Sequence, residues 1–90
     1  MMLTEKEVIQ QIKSATPGTI LDTGVNLGDR GQGSRRIYEC IGVDLWRLTH
    51  AKPSDTYISF WCEIDTNQVL NGFKQQLDKS KVTFKQKERI

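Results

Sequence analysis

Ninety residues, 37% hydrophobic and 27% charged, make a single small globular domain over 1–90 and exclude both a disordered chain and a two-domain architecture. The net charge is +2, but residues 1–77 carry eight Lys/Arg against nine Asp/Glu, so the body is near neutral and the positive excess sits in residues 78–90. That distribution argues against a basic footprint spread over a folded face, as a duplex-binding protein needs.

The amino terminus, MMLTEKEVIQQIK, places acids where a secretion leader needs a basic and then an apolar stretch. No apolar run approaches the roughly 20 residues of a membrane helix, so a cytoplasmic chain with no membrane role is expected. Residues 4–14 read as the first helix. Thr4 is the N-cap and Glu7 completes a capping box, while Val8, Ile9 and Ile12, with Ala15, form one apolar stripe. Thr16-Pro17-Gly18 ends it, and the β-branched run at 19–23 (TILDT) reads as a short strand. Residues 24–35, GVNLGDRGQGSR, hold four of the seven Gly and only two apolar anchors, the signature of a long mobile loop.

Residues 36–64 dominate the chain, with both Trp, both Tyr, both Cys and the single His. They read as a three-stranded meander. For its first hairpin, a two-residue turn at Gly42-Val43 sets Glu39 against Trp46 and mixes polar with apolar on both faces. A three-residue loop at Gly42-Val43-Asp44 instead sets Ile41 against Leu45, Cys40 against Trp46, Glu39 against Arg47 and Tyr38 against Leu48, and is preferred. Apolar residues on both sides of these strands predict a sheet covered on both faces or rolled towards a barrel. AKPSD, 51–55, is a turn, and Tyr57–Ile64 alternates as a half-buried strand.

Asp65 and Gln68 repeat the capping box at the head of a second helix over 65–79, with Val69, Leu70, Phe73 and Leu77 as its buried stripe. A short edge strand over 81–85 follows, guarded by Lys, and 86–90 is a frayed basic tail. The fold class is therefore α+β: an antiparallel sheet of about four strands, with or without the edge strand, packed with two helices.

Chemistry is sparse. Cys40, His50 and Cys62 have no metal-ligand spacing, and a Cys in an apolar strand is more simply a small core residue than a nucleophile. Asp22 and Asp29 flank the loop without a recognisable acid–base partner. The Gly-x-Gly pair at 31 and 33 precedes a strand and so matches no dinucleotide or phosphate loop. No catalysis, metal or cofactor is expected.

Two binding readings remain. In the first, Tyr57 and Trp61, on the side of their strand away from the core, form a patch with Trp46 or Ile41 nearby that engages a protein partner or a second copy of the chain. In the alternative, Arg30, Arg35 and Arg36 of the loop grip phosphates while Tyr57 and Trp61 stack bases of a single-stranded nucleic acid.

Overall fold

Both capping boxes close as the sequence spells them. The computed structural model of the chain describes residues 3–24, 35–51, 57–76 and 79–87, with backbone alone at 35, 50, 51 and 57–61. Helix α1 spans Glu5–Lys13, with the Thr4 hydroxyl accepting from the Glu7 N–H and the Glu7 carboxylate accepting from the Thr4 N–H. Helix α2 spans Thr66–Gln75, with Asp65 and Gln68 bonded in the same reciprocal way. It stops at a Gln76 C-cap, four residues short of the expected end, and Leu77 lies outside the described residues.

Five strands form one antiparallel sheet: β1 (Thr19–Asp22), β2 (Arg35–Gly42), β3 (Leu45–Ala51), β4 (Tyr57–Ile64) and β5 (Thr83–Gln86), in the order β4-β3-β2-β1-β5. The edge strand of the carboxyl terminus thus completes the sheet beside β1. Its pairing runs through Gln86, opposite Thr19, and the Lys87 N–H donates to the Gly18 carbonyl at 2.8 Å, so order reaches beyond the residues expected to be paired.

The β2–β3 register is that of the three-residue loop, with Cys40 opposite Trp46, Glu39 opposite Arg47 and Tyr38 opposite Leu48. The extra residue is absorbed as a bulge between Cys40 and Gly42, so that Gly42, not Ile41, faces Leu45. Asp44 adopts a left-handed φ of 52°, the residue that such a bulged hairpin requires.

Core side chains come from alternate positions. Leu21, Tyr38, Cys40 and Trp46 project from one face of the sheet into a cluster with Val8 and Ile12 of α1 and Val69, Leu70 and Phe73 of α2, joined by Val82. Both helices therefore pack on the same face, and among the described residues no helix covers the other, although Ile37 on that face is only 6% exposed. Each helix carries one apolar stripe, and the two stripes seal a single sheet face between them.

Trp46 sits at the centre of this arrangement at 1% exposure, and its indole N–H donates to Thr66 Oγ1 at 3.1 Å. Thr66 is in turn bonded to Asp44, whose carboxylate accepts the Thr66 N–H at 2.9 Å. The hairpin turn is thereby fastened to the first turn of α2. These bonds, first from the Thr66 backbone and then from its side chain, hold the Asp44 carboxyl below its ordinary value of 3.8. The Glu7 carboxyl is lowered in the same way by Thr4.

Since the folded pKa lies below the unfolded one, the Asp44 contribution is complete above pH 3.8 and is lost as pH falls through the depressed folded value. Asp44→Asn should lower the urea midpoint at pH 7, and the difference from the wild type should shrink below the carboxylate range. A constant gap between the two proteins across both pH values would refute this linkage.

Candidate interaction surfaces

The sheet face away from the helices carries residues of mixed character in ordered rows. Across the five strands the register aligns Lys85, Ile20, Glu39, Arg47 and Glu63. Opposite charges follow one another along that row, and Lys87 Nζ adds an ion pair to Glu39 at 3.4 Å. Such exposed pairs are worth only a few tenths of a kcal/mol, about 0.2–1 each, but they neutralise the face. The next row aligns Asp22, Ile37 and Thr49, with the backbone of Trp61 in register beside Thr49. Between the two rows, Ile20, Ile37 and Thr49 line a shallow concavity of about 310 Å³ with the charged residues at its rim.

Of the site residues expected from sequence, Trp46 and Arg36 are the ones whose side chains lie within the described residues. Trp46 belongs to the core and contributes nothing to an exposed aromatic patch. It falls on the helix side because its position in β3 has the same parity as Leu48, which packs against the core. Tyr57 and Trp61 are placed by backbone register alone, opposite Ala51 and Thr49 on the outermost strand. Between these two pairs β4 runs through two residues more than β3 does.

Arg30, with the rest of 25–34, lies outside the described residues, as does the turn 52–56. Arg35 opens β2 opposite Ala51. The Arg36 backbone is clamped by Thr23: its N–H donates to Thr23 Oγ1 at 3.2 Å, and its carbonyl accepts from the same hydroxyl at 3.1 Å. Its side chain turns to the helix side and lies beside Gly72 of α2, while Arg30 and the Arg35 side chain, the other members of the expected grip, lie outside the described residues.

That turn creates a feature the sequence reading missed. Arg36, Tyr38, Leu48 and Ile64 face one side of α2 across an open cleft of about 340 Å³. The helix lines it with Gln68, Asn71, Gly72 and Gln75, at spacings of three and four residues that define one helical face. A methyl group built on Gly72 would stand 2.6 Å from Tyr38 Oη and 3.7 Å from an Arg36 guanidinium nitrogen. Glycine in the middle of a helix costs about 1 kcal/mol relative to Ala, and close approach of the Tyr38 hydroxyl accounts for it here. The pattern Gln68-x-x-Asn71-Gly72-x-x-Gln75 beside the apolar stripe was the available signal. Only the fold shows what stands opposite.

Cys40 is buried and Cys62 half-buried, and both thiols are free. Among the described residues no group of three or more His, Cys, Asp and Glu is gathered to share a metal ion. No described helix is long and apolar enough to cross a membrane. Comparison with family models, with curated proteins and with solved structures finds no match.

Proposed function

We propose that the protein is a small non-enzymatic interaction domain that pairs with a second copy of itself along β4. The single observation behind this reading is the position of β4 at the end of the sheet order. It is eight residues long, YISFWCEI, and carries one charge. An edge strand of high β-propensity without Lys or Pro is a template for another strand. The opposite edge is unlike it: β5 is four residues long, and Lys85 lies within it with Lys87 just beyond.

Antiparallel pairing about a two-fold axis lays β4 on itself, so one surface supplies both halves of the interface. Glu63 stands near one end of the strand, and pairing centred near Ser59 keeps the two carboxylates apart. Tyr57 and Trp61 then meet or flank their counterparts, and aromatics of this kind anchor interfaces. A neutralised sheet face and an Arg36 drawn to the helix side give the alternative, single-stranded nucleic acid held by Arg30, Arg35 and Arg36, less support.

Sedimentation across a concentration series should show a reversible monomer–dimer equilibrium. A lysine introduced at position 59 should shift it to monomer by about tenfold or more in dissociation constant, because a charge in mid-edge opposes pairing. Circular dichroism checks that the variant is folded, and Lys85→Ala at the other edge should leave the equilibrium unchanged. A wild-type protein that stays monomeric to about 1 mM defeats the proposal. Salt-dependent binding of a labelled oligonucleotide by that monomer would favour the alternative.

A further inference from the structure

The two edges of the sheet differ in charge, and β5 is the positive one. Residues 79–87 hold four Lys and no Asp or Glu, whereas residues 1–77 are near neutral. Lys81 and Lys85 are exposed, and Lys87 is paired with Glu39. β5 ends the sheet order, so among the described residues no strand pairs with its outer side.

The pairing with β1 fixes which backbone groups that outer side presents. Thr19 stands opposite Gln86, and the Lys87 N–H donates to the Gly18 carbonyl one step beyond that pair. A bond in that position marks 19 and 86 as a pair without mutual bonds. By alternation, Ile20 with Lys85 and Asp22 with Thr83 are the mutually bonded pairs. Lys85 and Thr83 therefore direct their backbone groups at β1, while the N–H and C=O of Phe84 and Gln86 point to the free side.

Side chains alternate along the same strand. Phe84 packs against the core on the helix side, whereas Lys85 lies in the charge row of the open face and Lys87 reaches Glu39 there. In an antiparallel strand laid on this edge, the residue opposite Lys85 falls on the open face in a close, non-bonded pair. Its two neighbours fall on the helix side beside Phe84. An acid suits the first position and apolar residues suit the others. The lysines oppose a second copy of β5 and select an acidic strand by the same charge. A nucleic acid could meet the lysines, but its phosphates have no donors for the outward carbonyls of Phe84 and Gln86.

We infer that the β5 edge takes up an extended acidic segment of a partner protein, with acids at alternate positions set over Lys85 and Lys87 and apolar residues beside Phe84. This edge is at the far end of the sheet from β4, so the inference stands or falls independently of the self-pairing.

The test is a titration of the isotopically labelled full chain with a capped octapeptide of alternating Glu and Val, followed by amide shifts and hydrogen exchange. Saturable shifts are expected along 83–87. Exchange should slow by about tenfold at the Phe84 and Gln86 amides, which acquire partners, and change little at Lys85 and Lys87, whose N–H groups already face β1. Lys85→Glu should weaken the peptide by about tenfold, with an unaltered circular dichroism spectrum showing that the variant is folded. The assignment is overturned if a peptide with Lys in place of Glu binds the edge equally well, because the charge is then not read. It is also overturned if folded Lys85→Glu binds as the wild type does, if the Glu/Val peptide shows no saturation, or if it protects the amides of β4 instead. Saturation of the same amides by a thymidine octanucleotide in place of the peptide overturns it too, since the edge then reads a polyanion and not a strand.

Discussion

Trp46→Ala is expected to destabilise the fold by about 3–5 kcal/mol, the range for truncating a large buried aromatic. A domain of this size has about 5–10 kcal/mol in all, so the variant should be largely unfolded at modest urea concentrations. Three losses combine. The indole is 1% exposed and fills the space between the hairpin and the start of α2. Its N–H leaves Thr66 Oγ1, and the linkage from indole to hydroxyl to the Asp44 carboxylate is broken at its buried end. The cavity that remains borders Thr66, which keeps its bond to Asp44 and so holds α2 in place without filling the gap.

Trp46→Phe separates these effects. It keeps most of the apolar volume and deletes the donor, and should cost only about 1–2 kcal/mol. Urea denaturation followed by circular dichroism measures both. If Trp46→Ala unfolds at the same midpoint as Trp46→Phe, the indole is not the keystone of this contact and the burial of Trp46 carries little energy.

Gly24→Ala is the second large effect, at about 3 kcal/mol or more. Gly24 follows β1 with φ of +69°, held by an N–H that donates to Asp22 Oδ1 at 2.8 Å. An added Cβ would lie 2.0 Å from the carbonyl oxygen of Lys81 and 2.8 Å from its carbon. Both are backbone atoms of the segment that leads into β5, so the clash cannot be relieved by a rotamer change. Relief requires β5 to move away from β1.

Gly18→Ala provides the control. Its φ of +98° is equally unfavourable for a side chain, but the nearest atom a Cβ meets is Gln86 Nε2 at 3.7 Å. That variant should pay only the conformational term, about 1–2 kcal/mol. Thermal or urea unfolding of the pair distinguishes strain from collision, and equal losses at the two positions would show that β5 yields freely.

Local features were legible because their causes lie within a few residues. Thr4 with Glu7 and Asp65 with Gln68 satisfy orphan N–H groups three positions away, so both helix starts follow from the chain itself. The β2–β3 register followed from requiring Glu39 to meet Arg47 and apolar residues to share faces, and the structure has that register with a bulge at its turn. The end of α2 was less legible. No Gly or Pro marks it, and the helix stops where Gln76 becomes buried at 5% exposure and its carbonyl accepts the Lys79 ammonium at 2.7 Å.

The candidate sites were only partly legible. Alternation assigns Trp46 and Arg47 to opposite faces of β3, yet it cannot say which face the helices take. Apolar residues on both faces, Ile37 on one and Tyr38 on the other, left that choice open. Arg36 was read with its loop neighbours by sequence proximity, whereas its side chain follows the strand and joins Tyr38 and Gly72, residues of β2 and α2.

By itself, then, the chain determined its helix caps, its hairpin register and its α+β class, all of which rest on hydrogen bonds and alternation over short separations. Tertiary packing alone decided that both helices share one face, that Trp46 is sealed beneath them, that β4 ends the sheet, and that the Tyr38 hydroxyl packs against Gly72 with Arg36 beside it. The reason is physical: a strand's two faces are equivalent until another element buries one of them, and that element comes from a distant part of the chain.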